Sequence, residues 1–259
     1  MKAYRVWMVL LGLALGVAGC AGPATKDKSV NGQTPAQINT QLGIAYLQQG
    51  RKDIALEQLK KALKQDPDSV EAHNAIAVVY ERLNEPKLAE RHYRRALELD
   101  SKNGSVQNNF GQFLCRMGRY RESQKHFLAA VKNPLFNSPE TAYTNAALCL
   151  PPDTPSAKKE RYLHAALNAN PRFPHALLEM ARLKHADGDN QRARAFLQRY
   201  ESVAGHNPQM LWLGVQIEHA LGHQDAVVRY AQLLTTKYPD SPQAQQLQKM
   251  ERNDGQPGS

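Results

Sequence analysis

The sequence lacks the short motifs with which common enzyme sites hold phosphate, a nucleophile or zinc. It contains no G-x-x-x-x-G-K-[ST] phosphate loop, no G-x-S-x-G nucleophile turn and no H-E-x-x-H zinc helix. Its nine histidines are scattered, and Gly222 interrupts the His219/His223 pair where a helix should end. We therefore predict a non-enzymatic protein that has no cofactor, no metal site and no small-molecule substrate.

The apolar segment near the N-terminus is too short to cross a membrane. Val6 to Val17 is an apolar run of 12 residues, whereas a helix needs about 20 apolar residues to span a bilayer. The run follows a short basic segment and ends in Val17-Ala18-Gly19-Cys20, where small residues precede a thiol. This order is typical of a bacterial lipoprotein signal peptide. We therefore predict that residues 1–19 are removed and that Cys20 becomes the lipidated first residue.

The residue that follows the lipidated cysteine indicates where such a lipoprotein is sorted. By resemblance to bacterial lipoproteins, Ala21 in place of an aspartate implies the outer membrane. Several acyl chains on one residue hold a protein on a bilayer essentially permanently, at about 0.8 kcal/mol per buried methylene. We expect a chain that is lipid-anchored at the periplasmic face of the outer membrane.

The sequence has no large excess of one charge once the signal peptide is removed. The formal net charge of +9 falls to about +7 when Lys2 and Arg5 are lost. Together with export, this moderate charge predicts that the protein has no nucleic-acid partner. Three basic clusters are either solvated helix faces or contacts for anionic lipid head groups or an acidic partner. They are Arg91, Arg94 and Arg95; Arg116, Arg119 and Arg121; and Lys158, Lys159 and Arg161.

The sequence does contain a pattern that recurs about every 34 residues. In its first copy, Asn39-x-x-Leu42-Gly43-x-x-Tyr46 is followed by Ala55, Leu59, Ala62 and Pro67. Apolar residues at helical spacing occur in both halves of each copy, so each unit is a helix, a turn and a second helix. A unit this small cannot bury its apolar face alone. Successive units must therefore stack into a continuous array.

These residues match the tetratricopeptide repeat over most of the chain. We predict an all-α fold, a right-handed superhelical solenoid of about six tetratricopeptide repeats closed by a C-terminal capping helix. A flexible lipidated tether at 20–35 precedes the repeat domain at 36–250, and a disordered tail follows at 251–259. Repeat four departs from the pattern. There Pro151-Pro152-Asp153-Thr154-Pro155 replaces the tight turn and must stop the first helix near Leu150.

Cys115 and Cys149 lie one repeat apart, near the ends of neighbouring first helices. First helices stand side by side in such a stack, which brings the two thiols near each other. In an oxidising compartment a disulfide is expected if the Cα atoms are about 4.4 to 6.8 Å apart. The alternative is two buried free thiols, since cysteine packs well as a small apolar residue. We favour a structural disulfide that holds two first helices together beside the break in repeat four.

The first helices also line the concave face of such an array, where partners bind. The consensus offsets predict groove residues in the first two repeats, and three of them are apolar where solvent would be expected. Such a patch suits an amphipathic helix or an extended apolar peptide. The alternative is that the apolar residues pack against neighbouring repeats. The predicted partner-binding residues are Thr40, Ile44, Leu47, Asn74, Val78 and Glu81.

A longer segment across repeats three and four carries a closer resemblance. It consists of Asn108-Asn109-Phe110-Gly111-x-Phe113-Leu114-Cys115, Gly118-Arg119-Tyr120, Phe127, Pro134, Pro139-Glu140-x-Ala142 and Asn145 to Cys149. Together with the lipoprotein signal and the six-repeat layout, it resembles the type IV pilus biogenesis lipoproteins of the PilF/PilW kind. Members of that family pair cysteines across repeats three and four. They act as outer-membrane pilotins for the pilus secretin or as pilus stability factors.

The resemblance implies a pilotin that binds the pilus secretin in its groove. Such a protein promotes localisation or multimerisation of the secretin in the outer membrane, and through it pilus biogenesis and twitching motility. The alternative is a tetratricopeptide scaffold lipoprotein of another envelope machine, such as outer-membrane barrel assembly or activation of a peptidoglycan synthase.

Overall fold

A computed structural model describes residues 32–254, which form thirteen helices. The first twelve form six consecutive pairs, in which a first helix packs against the second helix that follows it. The first helices are α1 (Pro35–Gln48), α3 (Val70–Arg82), α5 (Gly104–Arg116), α7 (Pro139–Leu148), α9 (Pro174–Ala186) and α11 (Pro208–Ala220). The second helices are α2 (Lys52–Gln65), α4 (Pro86–Leu99), α6 (Tyr120–Lys132), α8 (Ser156–Ala169), α10 (Asn190–Ala204) and α12 (Gln224–Lys237). The last helix is α13 (Pro242–Asp254).

The order of contacts confirms the predicted all-α solenoid of six repeats. Each second helix packs on the first helix of the next repeat, so the pairs stack in chain order. The first helices form an inner layer, in which α1 contacts α3 and α3 contacts α5. Within the part of the chain that is described, no helix is both long and apolar enough to cross a membrane.

Local sequence signals set where several helices begin. The Thr34 hydroxyl accepts a hydrogen bond from the Gln37 amide, and the Gln37 side chain accepts one from the Thr34 amide. This capping box pairs two donors that the first turn leaves free. Ser69 and Asn103 cap α3 and α5 with one such bond each. Thr34 and Pro35, which were assigned to the tether, therefore belong to the start of the repeat domain.

The turn between the two helices of a repeat needs a residue in the left-handed backbone region. Gly50 supplies it in repeat one with φ 76°, and Asn84 supplies it in repeat two with φ 60°. Repeat four has no such residue, and α7 ends at Leu148, before the expected Leu150. The prolines that follow cannot continue a helix. The Gln124 side chain from α6 donates to the carbonyl oxygens of Ala146 (2.9 Å) and Cys149 (3.2 Å), which replaces the missing turn bonds.

In repeats one and three the core depends on a close approach between the two helices. A Cβ atom at Gly43 would lie 2.5 Å from Cγ of Leu59, and one at Gly111 would lie 2.7 Å from the Phe127 ring. Leu59 and Phe127 are fully buried. Only glycine lets the backbone of the first helix rest on these large side chains.

Helix α13 closes the array and corrects one predicted boundary. Its Ala244 and Leu247 are buried in the core cluster of the last repeats, as a capping helix requires. The helix runs to Asp254, so residues 251–254 are helical and not part of a disordered tail. These four residues include no glycine or proline, and the next residue in the sequence is Gly255. The signal peptide, Cys20, residues 21–31 and residues 255–259 lie outside the described residues.

Cys115 and Cys149 form a disulfide with their Cα atoms 5.7 Å apart. The alternative of two free thiols is therefore not what the structure contains. The bond joins the end of α5 to the residue that follows α7. These two first helices make weaker contact than any other neighbouring pair in the described inner layer. The disulfide thus links two first helices that pack weakly on each other, although α6 packs closely on α7 at the same junction.

Truncating a core side chain tests how much the packing of repeat one contributes to the stability of the fold. We expect Leu59→Ala to lower the free energy of unfolding by about 2–5 kcal/mol, because it leaves a cavity beneath Gly43. Leu135→Ala is the matched control, since Leu135 is 83% exposed and its loss should cost less than about 0.5 kcal/mol. Urea unfolding followed by circular dichroism measures both, and similar losses in the two variants would contradict this packing.

Removing the disulfide tests its contribution separately. We expect Cys115→Ala/Cys149→Ala to lower the free energy of unfolding by about 2–4 kcal/mol, because the bond closes a loop of 34 residues in the unfolded chain. Adding a reductant to the unchanged chain should have the same effect, and it should leave the double variant unaffected. A reductant that destabilised both proteins equally would show that the effect is unrelated to this bond.

Candidate functional site

The candidate site is a groove on the inner faces of the first three repeats. Its walls come from α1, α3 and α5, which lie side by side because each rests on its own second helix. The groove has an apolar end, lined by residues of repeats one to three, and a polar end in repeats two and three. Val78 and Asn109 line both ends, so the two are continuous.

The apolar end is a cavity of about 500 Å³. Ile44 and Val78 are half-buried at its wall, whereas Leu47 is buried and packs with Ala75 in the core of repeat one. The groove and the core therefore share Leu47. Some of these apolar residues are available to a partner, and some pack against neighbouring repeats, so each of the two interpretations holds in part. Polar groups form the rim. The lining residues are Ile44, Leu47, Val70, Glu71, Asn74, Ala75, Val78, Asn103, Ser105, Val106 and Asn109.

The rim amides are ordered by a contact between repeats. The Asn109 side-chain nitrogen donates to the Asn74 side-chain oxygen across 3.2 Å. Asn145 donates to Asn108 in the same way at the next junction, across 2.9 Å. Asn108 is thus buried and bonded within the array, so its amide is not available to a ligand.

The polar end is a cavity of about 340 Å³ whose single carboxylate is paired within the protein. The Glu81 carboxylate, whose side chain is only 10% exposed, accepts hydrogen bonds from the Tyr93 hydroxyl and from Arg116. Burial raises the pKa of Tyr93 and lowers that of Arg116. Arg82 donates to the backbone oxygen of Leu47 across 2.8 Å. This end therefore offers fixed hydrogen-bonding groups, and its one excess positive charge is that of Arg82.

The structure places five of the six sequence-predicted groove residues along this surface. Ile44, Leu47, Asn74 and Val78 line the apolar end, and Glu81 lines the polar end.

Thr40 is the exception, and its prediction is wrong. It is only 1% exposed, and its hydroxyl donates to the backbone oxygen of Ala36 across 2.8 Å. A threonine inside a helix commonly satisfies its hydroxyl in this way, which turns the side chain away from the groove.

Several lining residues were not predicted from the sequence. Gln112 lies 34 residues after Val78, so extending the same offsets into repeat three finds it. Val106 and Arg116 carry no comparable signal. They reach the groove because of the angle at which α5 packs on α3, and that angle is a property of the assembled array.

The inner face of the last repeats differs from this groove in chemistry. A cavity of about 340 Å³ there is lined mainly by polar side chains around Trp212. Residues 32–254 contain no group of three or more His, Cys, Asp or Glu residues that could hold a metal ion. His223 instead pairs with Glu218 across 2.7 Å. The apolar character of the groove is therefore confined to repeats one to three among the described cavities.

Known proteins resemble this chain in sequence and in fold. Residues 40–104 match the model of the tetratricopeptide repeat family. The chain is 34% identical over 249 residues to the type IV pilus assembly protein PilF of Pseudomonas aeruginosa, covering 94% of this chain and 98% of PilF. The solved structure of that PilF superimposes with a TM-score of 0.74 at 33% identity, covering 83% of this chain and 97% of PilF.

A second solved structure gives the same result. PilW, described as a widely conserved type IV pilus biogenesis factor, superimposes with a TM-score of 0.74 at 31% identity. The match covers 82% of this chain and 97% of PilW. The similarity spans nearly the whole length of both relatives, so it is not confined to a few generic repeats. The chain belongs to the family of type IV pilus biogenesis proteins built from tetratricopeptide repeats.

Proposed function

We propose that this protein is an outer-membrane lipoprotein that acts as a pilotin. In this proposal the groove of repeats one to three binds a segment of the pilus secretin, and a lipid on Cys20 carries the pair to the outer membrane. The observation on which the proposal rests is a continuous groove, with an apolar end and with carboxylates and arginines that balance in charge, in a chain of the type IV pilus family.

The chemistry of the groove favours a protein segment with apolar side chains. Ile44 and Val78 are only half-buried, so a partner gains by covering them, and burying one aliphatic side chain contributes about 1.5–3 kcal/mol. The Asn74 and Asn109 amides and the Arg116–Glu81 pair stand at fixed positions beside them. A segment that combines apolar side chains with free backbone polar groups fits such a surface.

The lipid anchor explains how binding in the groove becomes transport. The tether places the first repeats, and with them the groove, closest to the anchor in the chain. A partner bound there travels with the lipoprotein to its membrane. No catalytic step is needed, because binding and delivery together account for assembly of the partner at the correct place.

A charge placed in the groove tests the binding step. We expect Val78→Glu to weaken binding of purified secretin at least about tenfold, because the complex would bury an unpaired carboxylate. Val228→Glu is the matched control, since Val228 is 44% exposed on the second helix α12. Calorimetry measures both affinities, and circular dichroism checks that both variants keep their helices. Equal affinities would contradict the groove, and capture of a barrel-assembly protein instead of secretin would contradict the pilotin role.

A pair of substitutions at the lipidation signal tests the delivery step. We expect Cys20→Ala to leave thermal unfolding of the repeats unchanged, while both the protein and the secretin are lost from the outer membrane. Ala21→Asp keeps the lipidated cysteine and should retain the protein in the inner membrane, which separates lipidation from sorting. Membrane fractionation and detection of secretin multimers provide the readout. Normal secretin assembly in the Cys20→Ala strain would overturn the pilotin mechanism.

A further inference from the structure

The two helix layers of the array differ in charge. The second helices of the six repeats carry 19 Lys or Arg residues and 8 Asp or Glu residues, a net charge of +11. The first helices carry 4 Lys or Arg residues and 5 Asp or Glu residues, a net charge of −1. The positive charge of these repeats therefore lies on the outer layer, opposite the groove.

Four cations of the outer layer form a regular group, which we name the basic grid. Lys87 and Arg91 lie one turn apart on α4, and Arg121 and Lys125 occupy the corresponding positions one repeat later on α6. All four residues are exposed. None of them has a carboxylate partner among the described residues.

The acidic residues beside the basic grid do not neutralise it. Glu90 is held by Arg94 (2.6 Å) and by Arg119 (2.9 Å), and Arg119 also holds Glu122 (2.7 Å). Burial raises the pKa of Glu90, but the hydrogen bonds from Arg119 and Arg94 outweigh it and keep the pKa below its usual value. These carboxylates are therefore already saturated with arginine, which leaves the charges of the grid free for an external partner.

Nearby cations contribute to the low pKa of a histidine beside the basic grid. Burial, followed by the charges of His73, Arg91 and Lys60, lowers the pKa of His92 to about 4. His92 is thus uncharged at neutral pH. An anion that approached this surface would meet several cations and few free carboxylates.

The shape and the position of the basic grid favour a flat anionic partner. The outer layer of a superhelix is convex, so a plane touches it along one or two helices, and the grid occupies two adjacent second helices. The tether also reaches far enough. The 14 residue steps from Cys20 to Thr34 extend to at most about 50 Å, whereas a helix of 14 residues is about 21 Å long.

We propose that the basic grid docks the repeat domain on the anionic phospholipid surface of the membrane that holds its lipid anchor. The groove lies on the opposite layer and then faces away from the bilayer, toward its partner. This orientation rests on the proposed lipidation of Cys20, whereas the affinity of the grid for phospholipid does not. Each Lys or Arg near an anionic surface strengthens binding by about fivefold at moderate salt.

Vesicle binding by the unlipidated mature chain tests the proposal. The protein would start at residue 20 with Cys20→Ser, which keeps every described residue and removes the lipid. We expect it to sediment with vesicles of phosphatidylethanolamine and phosphatidylglycerol, and not with vesicles of phosphatidylcholine. Changing Lys87, Arg91, Arg121 and Lys125 to Gln together should weaken this binding at least about tenfold. Higher salt should weaken it in the same direction, because the contact is electrostatic.

The matched control removes the same charge elsewhere. Arg161, Arg172, Lys237 and Lys249 are exposed in the second half of the chain, and changing all four to Gln should reduce vesicle binding less than threefold by the same screened electrostatics. Equal losses of vesicle binding in the two variants would contradict docking through the basic grid, and so would absence of binding by the unchanged protein. Secretin affinity measured on the same variants should stay unchanged. Since the vesicles contain no secretin, failure here is distinct from failure of the groove.

Discussion

In several repeats the backbone of the first helix lies directly on one large side chain of the second helix. Gly43 rests on Leu59 and Gly111 on Phe127, with no room for a Cβ atom in either place. This contact sets the distance between the two layers within a repeat. Because the first helices sit at a constant depth, they form a continuous inner wall. The groove is a consequence of that wall, since it opens where the side chains of three neighbouring first helices fail to fill the space between them.

The same layering separates two kinds of surface chemistry. The inner layer carries few charges, several of them paired within the protein, as Glu81 is with Arg116, and it presents apolar and amide groups. The outer layer carries the net positive charge. A segment that binds in the groove is therefore selected by shape, apolar area and hydrogen bonds. Long-range attraction belongs to the other face, so the two contacts do not compete for the same residues.

Much of the fold could be predicted from the sequence because the repeat imposes one pattern six times. The period of 34 residues identifies the helices, and the prolines at 151, 152 and 155 identify the irregular turn. The way the break is compensated could not be predicted. Gln124 caps α7 from a neighbouring helix, and that contact depends on how α6 and α7 cross. The end of α13 at Asp254 differs from the predicted end at residue 250 for another reason. A polar composition does not prevent a helix from continuing.

The candidate groove was predictable only as far as single-helix geometry reaches. Offsets along one helix correctly place Ile44 and Val78 on the inner face. They fail for Thr40, whose hydroxyl bonds to its own helix and leaves the surface. They also miss Val106, because its place in the groove is set by the packing of α5 against α3. A groove residue whose position is set by its own helix can be predicted from the sequence. A residue whose position is set by the packing of two helices can be identified only in the assembled array.

The disulfide stands where this chain departs most from a uniform array. Repeats four to six share one large core cluster, whereas the core of repeats one to three is divided between two clusters, and Phe127, Ala146 and Cys149 form a small cluster at the junction of repeats three and four. In a repeat protein, stability passes only between neighbours, so a covalent bond between two repeats limits local opening at their junction. The Cys115–Cys149 bond joins repeats three and four, at the boundary between these core clusters. The groove is lined by the N-terminal block alone, so the bond preserves the array around the groove without contributing to its surface.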